Sequence, residues 1–217
     1  MREKTTVPRR RRADGERRRE AILATAARLA TVDGIDGLSI GRLAEELGMS
    51  KSGLYAHFGS KRDLQLATID TAREIFIEVV VLPGAAAPRG LERLRALCMN
   101  FLDHSDQGVF PGGCFFAAVA AEVAARPGEV RDRIAREQLD WIALIERLVT
   151  ESRDLGHLTP ETDSAQLAFE LNALVIAANT AFVLHADPAG LQRARRAIER
   201  LLWAASPAKP HETGSGR

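Results

Sequence analysis

Between Ser39 and Lys61 the apolar positions fall into two short helical sets separated by a stop signal. Ile40, Leu43, Ala44 and Leu47 stand at i, i+3, i+4 and i+7, one face of a helix. Gly48 follows at once, where a left-handed residue ends a helix and glycine adopts it without steric strain. Ser50 then offers its hydroxyl to the amides of the next turn, so a second helix starts there. That helix has Leu54 and Phe58 to bury. Its other residues, Lys51, Ser52, Gly53, Tyr55 and His57, are small, polar or cationic. A helix this short, with a slim outer face, gains little from water and much from a groove. The pattern predicts a helix-turn-helix.

The flanking pattern is helical as well. Ile22, Ala26, Leu29 and Ala30 line one face of a leading helix from Arg17, and Asp33-Gly34 closes it. Ser60-Lys61-Arg62-Asp63 is a capping box with Asp in the Glu position, opening a long helix to about Leu82. Ile75 to Leu82 is rich in β-branched residues, yet it continues a capped helix and reaches Pro83-Gly84 without a hairpin signal, so it reads as helix. Pro83 to Gly90 is the expected boundary loop. Beyond it, helices are predicted from Leu91 to about His104, Cys114 to Ala125, Glu129 to about Leu155, about Glu161 to His185, and from Asp187-Pro188 onward. The expected fold is all-α. Residues 1–16 form a disordered basic arm, 17–63 a three-helix DNA-binding domain, and 64–205 a larger helical domain. The helix from 61 to about 82 connects the two, and 206–217 is a flexible tail.

Composition changes this picture in a few places. The 217 residues, 46% hydrophobic, suffice for a substantial core. Net charge is +1, but residues 1–62 hold 14 Lys/Arg against 8 Asp/Glu, a net +6, and the remainder is −5. A basic head on an acidic body suits a module that meets phosphates. Cys98 and Cys114 lie on separate segments with no ligand spacing around them, which argues against a disulfide scaffold and a metal site, and no cofactor is expected. The longest apolar run, Leu171 to Leu184, is too short to span a bilayer and carries Asn172 and Asn179. No membrane partner and a cytoplasmic location are therefore expected.

In a helix-turn-helix the N-terminal residues of the second helix reach base edges. Here they are Ser50, Lys51, Ser52 and Gly53. Lys51 approaches guanine or a phosphate, Ser52 bonds base or backbone, and Gly53 admits close approach. Tyr55 and His57 carry polar tips suited to phosphate oxygens, and Lys61 lies in the first turn of the next helix, a natural anion site. The arm, Arg9, Arg10, Arg11 and Arg12 with Arg17 and Arg18, either attracts phosphates and reaches a minor groove or is a solvated tail.

Residues from about Arg17 to Leu66 resemble the N-terminal domain of TetR-family transcriptional regulators. The likeness runs through AILATAARLATVDGIDGLSI, LAEELG and above all SKSGLYAHFGSKRDL. It implies an all-α homodimer that binds a palindromic double-stranded DNA operator, with a C-terminal domain that dimerises and holds a small-molecule effector whose binding releases DNA. It also implies Ser39 as a backbone contact and supports Ser50, Lys51, Ser52, Tyr55, His57 and Lys61.

The last two helices carry the dimer expectation. Helix 161–185 is apolar nearly all round, with Leu171, Leu174 and Phe182, and the final helix has a narrow seam that includes Leu191, Ile198 and Leu201. Two copies would form a four-helix interface. Polar residues within apolar helices are the ligand-pocket candidates: His104, Cys114 beside Phe115 and Phe116, Asn172 and Asn179, each otherwise a satisfied core group. With no charged cluster among them, the expected effector is mostly apolar or aromatic. The resulting expectation is a transcriptional repressor and not an enzyme. The alternatives are a regulator gated by a protein partner or without effector, and behind it a helical enzyme using Cys114, which has no cation beside it in sequence.

Overall fold

The computed structural model describes residues 7–55 and 57–207, which contain helices and no strand. The α-helices are α1 (Val7–Asp33), α2 (Ile40–Leu47), α3 (Lys51–Tyr55), α4 (Lys61–Phe76), α5 (Leu82–Ala85), α6 (Leu91–Asp106), α7 (Phe115–Val123), α8 (Glu129–Asp154), α9 (Ser164–His185) and α10 (Ala189–Ala205). A π-helical turn, Ile77–Val81, joins α4 to α5. The β-branched run thus stays helical, but with a widened turn. Helical winding also persists through Pro83 to Ala85, so the expected boundary loop shortens to residues 86–90.

The first turns of α1 correct one expectation. Residues 7–16, anticipated as part of a disordered arm, are helical, and residues 1–6 lie outside the described residues, as do 208–217 of the expected tail. Pro8 stands in the first turn, where its missing N–H breaks no helical bond, and arginine, alanine and glutamate propagate a helix well.

The chain forms two compact units. The first comprises the chain through Val79 together with His104–Leu139; the second comprises Val80–Asp103 and the chain from Asp140 onward. In the first, Ile22, Leu23 and Ala26 of α1 meet Leu43 and Ala44 of α2, Leu54 of α3, Phe58 and Leu64 in one core. A second core joins Ala27, Ala30, Ile35, Ile69 and Ala72 to Phe110, Phe115, Val119, Val123 and Ile134. The apolar face of α7 therefore completes the packing of α1 and α4, and this unit extends beyond the expected boundary at residue 63. Contact here is close. Gly112 donates its N–H to Thr31 Oγ1 at 3.1 Å, and a Cβ on Gly112 would stand 2.0 Å from the Thr31 carbonyl oxygen.

In the second unit, α9 and α10 pack along each other, burying Leu167, Ala168, Leu171 and Val175 with Leu191, Ile198 and Leu202. Among the described residues, α9 is the helix long and apolar enough to cross a membrane by length and composition. The sequence expectation of no such segment is corrected on that count, although α9 carries Glu170, Asn172 and Asn179 and buries one flank in protein.

Candidate nucleic-acid interface

The helix-turn-helix is set by three caps. Ser39, with extended backbone, accepts the Arg42 N–H at 3.2 Å and starts α2. Gly48 closes it at φ 60° and ψ 30°, and Met49 donates to the Ala44 carbonyl at 2.9 Å. Ser50 Oγ accepts the Gly53 N–H at 3.1 Å, starting α3 two residues after that turn. Ser60 repeats the device for α4, accepting the Asp63 N–H at 3.1 Å.

On α3, Leu54 is fully buried and Phe58 follows it into the core, while Lys51, Ser52 and Tyr55 are exposed. Tyr55 is 60% exposed, unusual for an aromatic side chain with a core nearby. His57 is half-buried with its ring centroid 6.3 Å from that of Phe58. The Arg19 guanidinium of α1 lies 5.4 Å from the Phe58 ring centroid, a cation–π contact. Gly53 has a local reason beyond close approach, because a Cβ there would crowd Ser50 Oγ at 3.1 Å. The Lys51 stem runs beside Gly41, where a Cβ would stand 3.5 Å from Lys51 Cε, an ordinary contact. Lys61 is exposed, and its Nζ already donates to the Asp36 carbonyl. Ser39 and Ser50 spend an acceptor on capping and remain exposed. Arg17 and Arg18 are exposed on α1, with Arg17 paired to Asp14; Arg9, Arg10, Arg11 and Arg12 lie on its opening turns.

The pocket candidates do not converge. His104, Cys114 and Phe115 belong to the first unit, Asn172 and Asn179 to the second. His104 is 2% exposed, edge-on to Phe76 and Phe110 at 5.9 and 5.7 Å, with no hydrogen-bond partner on either ring nitrogen. Burial pushes its pKa down to about 4. Phe110, Phe115 and Phe116 continue the aromatic cluster, with centroids 6.0 and 5.3 Å apart. Cys114 precedes α7, fully buried, and burial pushes its thiol up to about 11, so it stays protonated and unreactive at neutral pH. Asn172 Oδ1 accepts the Trp141 indole N–H at 3.0 Å, which makes it a satisfied structural group. Asn179 is buried on α9 and also engaged.

The expected dimer residues divide likewise. Leu171, Leu191 and Ile198 are buried in the chain's own core and offer nothing to a partner; Leu174, Phe182 and Leu201 are half-buried. The spacing located α9 and α10 as helices but not their outward faces. Exposed instead are Phe169, Val183 and Leu184 on α9 and Trp203, 81% exposed, on α10. Between α9 and α10 lies an open groove of about 860 Å³, floored by Ala177, Ala181, Gly190 and Ala197 and edged by Arg193, Arg196 and Arg200.

Missed in the sequence were Glu122 and Gln65, which bond the loop between α1 and α2. Glu122 sits in an Ala-rich helix far along the chain and carries no local signal of that role.

A capped α2, a left-handed glycine and a short α3 with a polar outer face define a helix-turn-helix protein of the DNA-binding class. Residues 22–68 match the family model "Bacterial regulatory proteins, tetR family", and residues 90–198 match "Tetracyclin repressor-like, C-terminal domain". The chain belongs to the TetR family. It is similar to an HTH-type transcriptional regulator of Staphylococcus aureus, 36% identical over 66 residues, which is 30% of this chain and 36% of that protein. The chain thus aligns with about a third of the length of such curated relatives. Among solved structures, a TetR transcriptional regulator from Chloroflexus aurantiacus is 26% identical with a TM-score of 0.82, covering 88% of this chain and 96% of that one. AibR, in complex with isovaleryl coenzyme A and operator DNA, is 25% identical with a TM-score of 0.65, covering 83% and 95%. Regulators of this family bind operator DNA, typically as dimers with small-molecule effectors.

Proposed function

We propose that this chain is a dimeric transcriptional repressor that binds a palindromic operator and is released by a small, mostly apolar or aromatic ligand. The observation that carries the reading is α3. It buries Leu54 alone, and its Lys51, Ser52 and Tyr55 stand in solvent where a groove would receive them. Ser39, Ser50, Lys51, Ser52, Gly53, Tyr55, His57 and Lys61 then form the contact face, and the arginines of α1 add phosphate attraction. One such short helix gives little specificity; two half-sites multiply it, which is the reason for a dimer. The exposed apolar residues of α9 and α10 supply the partner surface. AibR, which binds both an acyl coenzyme A and operator DNA, supports effector control, and the His104 aromatic cluster is the candidate effector site. Such a protein acts in the cytoplasm, beside the chromosome.

The test is selection of bound fragments from genomic DNA by the purified chain, followed by footprinting. Expected is a two-fold symmetric protected site, occupied more weakly by Lys51→Ala. Absence of any enriched fragment would sink the reading. A small-molecule panel scored by melting temperature then seeks the effector.

A further inference from the structure

Side chains from three directions converge on the loop between α1 and α2. The Glu122 carboxylate of α7 accepts the Ile35 N–H at 2.7 Å and the Asp36 N–H at 2.9 Å. Gln65 of α4 donates to the Ile35 carbonyl at 2.9 Å and to Asp36 Oδ1 at 3.3 Å. Lys61 Nζ donates to the Asp36 carbonyl, and Arg126 pairs with the Asp36 carboxylate. Gly34 makes the approach possible. Its φ is +79°, and a Cβ there would stand 2.8 Å from Glu122 Oε2. All these groups belong to one compact unit.

Surface loops ordinarily leave their amides to water. Here two consecutive N–H groups face one carboxylate, a charge-assisted pair of bonds delivered from 87 and 86 residues further along the chain. Three residues past Asp36 is Ser39, the cap of α2, and α2 carries α3 through the Gly48 turn. The loop is therefore the footing of the helix-turn-helix. Packing of α7 on α1 and α4 would hold the α1 body without Glu122; the carboxylate adds a fixed grip on the segment from which α2 departs.

We propose that Glu122 is a positioning residue for DNA binding. By gripping the Ile35 and Asp36 amides it sets where α2 starts and hence where α3 is presented, and it makes α7 an element whose displacement is delivered to the DNA-binding face. The proposal rests on the operator-binding reading above.

The test compares wild type with Glu122→Gln as full chains, by anisotropy on a labelled duplex carrying the site recovered from genomic selection, over a range of salt. The amide keeps the side chain's size but leaves one acceptor and turns an NH₂ toward a backbone donor. Expected is a folded protein of unchanged helical circular dichroism that binds about tenfold more weakly, the scale of one lost charge-assisted bond. The salt slope stays unchanged because no phosphate contact is removed. Arg126→Ala should weaken binding in the same direction by less. Wild-type affinity in Glu122→Gln, with a lowered melting temperature alone, would overturn the proposal and leave Glu122 a stabilising group. Should wild type bind no duplex, or the variant not fold, hydrogen exchange of wild type decides the grip: slow exchange at Ile35 and Asp36 supports it, and free exchange overturns it. Failure to bind any duplex counts against the operator reading and not against the grip.

Discussion

Trp141 donates its indole N–H to Asn172 Oδ1 at 3.0 Å, tying α8 to α9 inside the second unit. The bond pairs two polar groups within apolar helices, the structural role that the sequence left open for Asn172 beside ligand contact. Asn172→Leu should leave the indole N–H unpaired and cost about 1–3 kcal/mol of stability. Urea unfolding followed by tryptophan fluorescence would show it, with operator affinity unchanged.

The exposed face of α3 separates two kinds of loss. Lys51→Ala should weaken operator binding and reduce the slope of log affinity against log salt by about 1, as expected for one phosphate or base contact. Ser50→Ala, on the same contact face, should in addition lower the melting temperature, because the Gly53 amide loses its cap at a cost of about 0.5–2 kcal/mol. Anisotropy titrations with thermal melts of both variants distinguish the roles. A Lys51 variant with an unaltered slope would place that ammonium away from DNA.

His104 predicts a pH dependence. Its folded pKa, pushed down by burial to about 4, lies below the ordinary 6.5. The unfolded chain therefore binds the proton first. The stability lent by the neutral buried ring is fully present above pH 6.5 and is lost as pH falls toward 4. The loss amounts to about 3 kcal/mol at about 1.36 kcal/mol per pKa unit. His104→Phe should remove this share of the acid sensitivity and hold stability near neutral pH, since it also removes two unpaired ring nitrogens. Urea midpoints from pH 4 to 7 for both proteins are the measurement; parallel curves would refute it.

Core and partner surfaces on the last two helices should respond differently. Leu171→Ala removes a fully buried side chain and should cost about 2–5 kcal/mol of stability. Trp203→Glu alters an exposed ring and should lower dimer affinity while the chain stays folded. Light scattering across a dilution series reads the second effect, and a Trp203→Glu chain that dimerises as wild type does would put the interface elsewhere.

The helix-turn-helix was legible because its determinants are local. Gly48, Ser50 and Ser60 act on residues three or four positions away, and Leu54 and Phe58 stand out against a polar surround. Other features depend on distant chain. The β-branched run from Ile77 to Val81 read as helix only because it continues a capped helix, and that continuity carries no information on its π winding. An all-round apolar helix such as α9 gives no direction, so Leu171 read as a partner residue when it faces inward. Glu122 is a lone charge among alanines, and its partners are backbone amides, which have no signature in side-chain patterns.

The meeting of Gly112 with Thr31 carries a genetic consequence. Nothing larger than a hydrogen fits at that residue, and the obstacle is a carbonyl of the α1 backbone, which no rotamer change can move aside. In a saturation library scored for repression, codon 112 should therefore come out intolerant of every replacement, alanine included.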